Sequence, residues 1–183
     1  KFTPYFLGTE GHAPKQDRAY QIGITSQKNI ICYVKERGLF YFDEQQQEFI
    51  RLKNKLPNNI KKFVIDNENR LVFLTEEGKL YLYFFAFDKS KPLLSFIKII
   101  EHPGAISTIY LTDESFIADS KRSITLFSNY IPQRTINLPR EKNVSQIIQQ
   151  NNLLFISFIE GECMKYNLED GSEEKLSNLP EKI

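Results

Sequence analysis

Histidine, cysteine and clustered carboxylates are the side chains here with types suited to catalysis or metal binding, and their spacing supports neither. There are two histidines and two cysteines in 183 residues: His12, His102, Cys32 and Cys163. His12 lies in GTEGHAPKQD, a Gly-, Pro- and charge-rich stretch that reads as loop, and His102 directly precedes Pro103. Neither stands in an HExxH or related zinc spacing. General acid–base chemistry needs groups that converge on a shared cleft. The acidic pairs Glu76-Glu77, Asp113-Glu114 and Glu169-Asp170 are adjacent residues in turn-like contexts, which does not supply one. GxSxG, a Gly-rich phosphate loop and CxxC are absent, and EDGSEE (Glu169 to Glu174) does not follow a calcium-loop spacing. The expectations are a structural hydrogen bond for His102, buried apolar roles for both cysteines, and no catalytic residue, metal or cofactor. The Asn143-Val144-Ser145 triplet is read as a chance match to a glycosylation motif.

The elements that must position any functional residue are strands. Apolar residues make up 41% and charged residues 26%, as in an ordinary globular domain, and the 13% of aromatics are all Phe and Tyr. That bias favours strands over helices. The formal net charge of +1 sets up no broad field toward nucleic acid or anionic membrane. No apolar run reaches the ~18 residues of a membrane span; the longest is Leu80 to Phe87 (LYLYFFAF). With both faces of that strand expected to be buried, the adjacent Phe84 and Phe85 are the expected place for a bulge.

A repeat organises the strands. Pro57, Pro103, Pro139 and Pro180 each follow an apolar segment, and they stand 46, 36 and 41 residues apart. That spacing is close to the ~40–45 residues of a propeller blade. Each interval divides into four short strand-like runs. In the first these are QIGITS, NIICYVK, LFYFDE and FIRLKNKLP. Gly38, Gly78 and Gly161 fall at one equivalent place, the turn between second and third strands, where a tight hairpin calls for φ > 0. The third repeat has Lys121-Arg122 there instead, so its hairpin is expected to differ. The fold class read from this is all-β: a propeller arc of four blades, each of about four antiparallel strands, forming part of a larger propeller. The expected division is 1–18 as a partial outer strand and loop of a preceding blade, then blades at 19–57, 58–103, 104–139 and 140–183.

The third repeat, Glu101 to Asn129, resembles a degenerate WD repeat. His102 and Gly104 stand where that family often has a His and a small residue before the innermost strand. Ile106 and Ile109 fit the inner-strand apolar positions, Asp113 the first hairpin turn, and Ala118-Asp119-Ser120 the second strand. Phe127 takes the place of the signature Trp. There is no Trp-Asp pair, and Lys121-Arg122 replaces the usual turn Asp, so the family's His–Asp–Ser–Trp network cannot be complete. ERGLFYFDE (Glu36 to Glu44) and EEGKLYLY (Glu76 to Tyr83) are similar to the Gly-x-aromatic hairpins of sensor-type and quinoprotein-type propellers.

By analogy with the fold, the expected function is a non-catalytic interaction scaffold, or a structural subunit of a multi-subunit assembly, with other proteins as partners and an intracellular, cytoplasmic setting. The expected contact residues are Glu36, Arg37, Glu77, Lys121, Arg122, Arg140 and Lys142, because second-to-third-strand turns and junction loops share a side in WD-type propellers. Two alternatives remain. A ligand-sensing or enzymatic propeller would use inner-strand polar residues (Gln21, Lys62, Ser107, Gln146). An RNA-associated propeller would use a basic rim that includes Lys53, Lys55, Lys61 and Lys62.

Overall fold

The computed structural model describes residues 20–88, 91–102, 104–112, 116–139 and 142–176. The described residues are all-β: sixteen strands in four antiparallel sheets of four, with no helix among them. Each sheet is a simple meander in chain order, which is the blade of a β-propeller. The first sheet holds β1 (Tyr20–Ile24), β2 (Ile30–Val34), β3 (Gly38–Asp43) and β4 (Glu48–Arg51). The second holds β5 (Ile60–Ile65), β6 (Arg70–Thr75), β7 (Leu80–Asp88) and β8 (Lys91–Ile100). The third holds β9 (Thr108–Leu111), β10 (Phe116–Asp119), β11 (Ser123–Ser128) and β12 (Ile131–Asn137). The fourth holds β13 (Val144–Gln150), β14 (Leu153–Phe158), β15 (Cys163–Asn167) and β16 (Glu173–Leu176). The expected preceding-blade strand at 1–18 lies outside the described residues. The sheets group into two compact units, 1–101 and 102–183.

In the first unit the core lies between the two blades. Ile31, Tyr33, Leu39 and Tyr41 of one sheet pack on Phe63, Ile65, Leu71, Phe73 and Tyr83 of the other. The innermost strands β1 and β5 touch, and Gly23 makes this approach feasible. A Cβ on Gly23 would stand 2.8 Å from Ile65 Cγ2 and 3.0 Å from Phe63 Cε2. Two residues earlier, Gln21 bridges the same gap with its side-chain amide. Its Nε2 donates to the Lys61 carbonyl at 2.7 Å, and its Oε1 accepts from the Phe63 N–H at 2.8 Å. Ser26, in the β1–β2 turn, donates from both N–H and Oγ to Asn69 Oδ1 at 2.9 Å. Toward the outside, Tyr83 Oη donates to the Lys55 carbonyl at 3.0 Å. A second cluster, Cys32, Val34 and Phe40 with Phe49 against it, occupies the other face of the first blade.

In the second unit Ile117, Ile124, Leu126 and Ile136 pack on Val144, Ile147, Leu154, Ile156 and Tyr166. The inter-blade bonds use different residues here. Tyr110 Oη donates to the Val144 carbonyl at 3.4 Å, Thr112 Oγ1 donates to Gln149 Oε1 at 3.0 Å, and Arg134 donates to the Leu168 carbonyl. Burial and the charge of nearby Asp119 push the Tyr110 phenol up to about 12.

Three expectations need correction. Leu80 to Phe87 is not buried on both faces throughout. The first four residues are enclosed or half-enclosed and Phe85 is buried, but Phe84 and Phe87 are exposed, Phe87 lying past the end of β6, which pairs only as far as Phe84. The bulge is not at Phe84-Phe85. The register shifts where Leu82 pairs with Lys98 and Tyr83 with Phe96, so the extra residue is Ile97 on β8. Finally, the last strand of the third repeat, expected from the sequence over QRTINLP (Gln133–Pro139), is β12 and begins at Ile131. Asn129 and Tyr130 both take positive φ (49° and 60°), the pattern of a tight two-residue hairpin, and Tyr130 is held there by its ring contact with Phe116.

Candidate functional site

The β2–β3, β6–β7, β10–β11 and β14–β15 turns are short and their conformations are set locally. Gly38, Gly78 and Gly161 have φ of 104°, 76° and 91°, the left-handed region that glycine enters without steric cost. They do not share one place: Gly78 and Gly161 close their turns, whereas Gly38 already pairs with Val34 and Arg37 holds the closing position. In the second and fourth blades the turn has three residues, closed by the Gly78 N–H to the Thr75 carbonyl and the Gly161 N–H to the Phe158 carbonyl. The third blade differs, as expected. Its loop is the two residues Lys121-Arg122, closed by the Ser120 N–H to the Ser123 carbonyl at 2.9 Å. Lys121 itself takes φ 70°, and Asp119 Oδ1 accepts its N–H at 2.7 Å. The other carboxylate oxygen of Asp119, a buried residue, accepts from Ser107 Oγ at 3.0 Å.

Linkers between blades reach the same ends as these turns. In the first unit the Glu76 N–H donates to the Asn59 carbonyl. In the second, the Leu138 N–H donates to the Arg122 carbonyl, and the Ile159 N–H donates to the Asn143 carbonyl. Within the first unit this places Glu36, Arg37 and Glu77 at one end. There the β2–β3 turn and the linker that follows β4 enclose a cleft of about 370 Å³. Its charged and amide lining includes Glu36, Arg37, Arg51, Asn54, Asn58 and Asn59. Glu77 pairs with Lys79 at 2.9 Å, which holds the exposed Lys79 ammonium above the usual lysine range.

Within the second unit, Lys121 and Arg122 are exposed at the turn end. Lys142 is engaged: its ammonium pairs with Glu162 and sits 5.4 Å from the centre of the Phe158 ring. Arg140 lies outside the described residues. Sequence reasoning missed Lys35, Arg51, Asn54, Asn58 and Asn59. The signal for Asn59 was present in Asn58-Asn59 after Pro57, and Asn59 does take φ 52°.

The other chemical candidates have structural partners. His102 bonds through Nε2 to Thr125 Oγ1 at 3.0 Å and through Nδ1 to the Gly104 main chain, with Phe127 beside it at 6.1 Å between ring centres. Gln21 and Ser107 are taken up by the bonds described above. Lys62 is half-buried, and burial pulls its ammonium below the usual range. Both cysteines are buried and free. Among the described residues no group of three or more metal-ligating side chains occurs, and no helix is long and apolar enough to cross a membrane.

No protein-family model matches the chain, and no curated protein sequence does. Solved structures do. One is PorZ, described as an essential bacterial surface component of the type-IX secretion system of Porphyromonas gingivalis. It is 20% identical with a TM-score of 0.61, over 86% of this chain and 21% of that one. Another is the WD40 domain of SCAP from fission yeast, 8% identical with a TM-score of 0.59, over 89% of this chain and 46% of that one. The chain thus spans about a fifth of the first and under half of the second. At these identities the likeness is one of fold: the chain has the fold of a WD-repeat-like β-propeller, present as four blades.

Proposed function

We propose that this chain is a non-catalytic protein-interaction module that binds other proteins through the turn-and-linker ends of its blades. The supporting observation is the cleft at the end of the first unit, where Glu36 and Arg37 meet Arg51 and the Asn54–Asn59 linker. The turns around it are held by main-chain bonds, so the charged side chains stand on a rigid base, an arrangement suited to recognition. Propeller neighbours are consistent with this reading, and subunit membership in a larger assembly is its natural extension.

The test is affinity purification from native cells, with and without nuclease, of the wild type and of Arg37→Glu and Arg122→Glu. Protein partners that survive nuclease and are lost with either charge reversal, at unchanged melting temperature, would support the reading. Partners retained by both variants would refute this site. Partners lost on nuclease treatment alone would favour an RNA-associated propeller instead.

A further inference from the structure

The cleft at the end of the first unit carries a charge pattern that selects the chemistry of its occupant. Both of its sides are fixed by hydrogen bonds. On one side the Arg37 N–H donates to the Val34 carbonyl at 3.0 Å and the Leu52 N–H to the Leu39 carbonyl at 2.8 Å. On the other, Asn54 Nδ2 donates to the Leu94 carbonyl at 2.7 Å, and the Lys55 carbonyl accepts from Tyr83 Oη. The linker after β4 is thus tied to the second blade, and the space between it and the β2–β3 turn is held open. Buried Leu52 and Ile60 and half-buried Leu56 give the lining an apolar part.

Three cations line this space, Lys35, Arg37 and Arg51, against one carboxylate, Glu36. Lys35 and Arg51 are exposed, and neither side chain is joined to another described residue by an ion pair or hydrogen bond. Arg51 is nevertheless placed. Its main chain pairs with Phe40, and its guanidinium lies beside Gly38, with Nε 3.6 Å and Nη2 3.7 Å from where a Cβ on that glycine would stand. A guanidinium with open donors can grip a carboxylate through two parallel N–H···O bonds.

The surroundings favour a carboxylate-bearing peptide over a phosphate backbone. The Glu76 N–H donates to the Asn59 carbonyl at 2.8 Å, so the exposed Glu76-Glu77 turn adjoins the cleft. The nearby Lys79 is already paired with Glu77. A nucleic-acid strand is charged at every step and would run from the cations onto these two carboxylates. Base stacking has no platform either, since the aromatic residue of the lining, Tyr33, is only 7% exposed. At about 370 Å³ the cleft is near the lower end of ligand sites, with room for a few residues of an extended segment.

We infer that this cleft binds a short acidic peptide segment of a partner protein. Arg51 and Lys35 meet its carboxylates, and Leu52, Leu56 and Ile60 take an apolar neighbour. The inference rests on the interaction reading above and specifies the partner's chemistry.

The experiment titrates the full chain into a short fluorescein-labelled peptide of glutamate alternating with leucine and serine, followed by anisotropy. The same peptide with glutamine for glutamate, and a single-stranded RNA of equal charge, are titrated in parallel. The glutamate peptide should bind about tenfold more tightly than either, as expected for two exposed charge pairs. Binding should weaken as salt is raised. Arg51→Gln should weaken it about fivefold at unchanged melting temperature. Lys98→Gln, which removes an exposed cation of the same unit outside the cleft, should not. Equal binding of the glutamine peptide, or binding of neither, overturns the inference. So does glutamate-dependent binding that Arg51→Gln leaves intact, which would put the site elsewhere, and so does RNA bound more tightly than the peptide. Failure of the peptide to bind leaves the interaction reading standing, because that reading falls only if native partners are retained by the Arg37→Glu and Arg122→Glu proteins.

Discussion

Replacing Gly23 with alanine tests the close approach of the first two blades. In an unconstrained strand this change stabilises by about 0.5–1 kcal/mol, since glycine loses more chain entropy on folding. Here the added methyl would lie 2.8 Å from Ile65 Cγ2 and 3.0 Å from Phe63 Cε2. Cγ2 belongs to the β-branch of Ile65, which is stiff at χ1, and both neighbours are buried in the inter-blade core. Neither can withdraw unless the strands separate. Overpacking of this kind costs about 1–3 kcal/mol. Set against the entropic gain, the net effect is destabilisation of about 1–2 kcal/mol, or a fall in Tm of about 2–8 °C for a chain of this length. Urea unfolding followed by tyrosine fluorescence suits a protein with nine Tyr and no Trp. Ile65→Ala removes Cγ2 and alone should cost about 2–5 kcal/mol. Combined with Gly23→Ala, the two losses should sum to about 1 kcal/mol less than additivity requires. A Gly23→Ala protein as stable as the wild type, or strictly additive losses, would refute the close approach.

Lys121 has positive φ at the first of its two turn residues, where a tight hairpin of this kind favours glycine; Lys121→Gly should therefore raise stability by about 0.5–1 kcal/mol, read as a higher urea midpoint, whereas Lys121→Val should lower it. Burial pushes the Cys32 thiol up and Cys163 is also enclosed, so a thiol reagent at neutral pH should label neither cysteine until denaturant is added; prompt stoichiometric labelling of the native protein would contradict this. The Glu160 carboxyl is held below the usual carboxylate range, first by its own main-chain N–H and then by Asn143. Its stabilising contribution is present above the ordinary carboxylate range and is lost as pH falls through the lowered native value, so Glu160→Gln should flatten that part of the acid limb of an unfolding curve taken against pH.

The repeat was legible because it is written in backbone constraints. Glycines at or directly after three of the second-to-third-strand turns, and prolines at a blade-length spacing, are demands of turns and junctions, and the strands between them followed. The exposure of Phe87 was not legible, because it lies where β7 outlasts its neighbour β6, a length difference that a run of apolar residues does not encode. Strand ends were blurred too: Tyr130 takes positive φ in a two-residue hairpin with its ring against Phe116, a contact made by folding. At the candidate site, the turn residues could be placed from the sequence, but the cleft could not. Arg51 and Asn54 join Arg37 only once β4 has paired with β3, a contact made by folding. Nor did the charge of Lys142 reveal that Glu162 already holds it.

The Gln21 bridge gives the first unit a joint with a lifetime of its own. The Phe63 amide is protected by a side chain rather than by a ladder partner, so its exchange with deuterated solvent reports how often the two blades part, separately from how often either sheet frays. Under strain the joint opens by breaking the two Gln21 bonds and the two from Ser26 to Asn69 and by baring core between the blades, while every ladder stays intact. Each blade can then shift as a whole sheet, and the curvature of the unit becomes adjustable without unfolding.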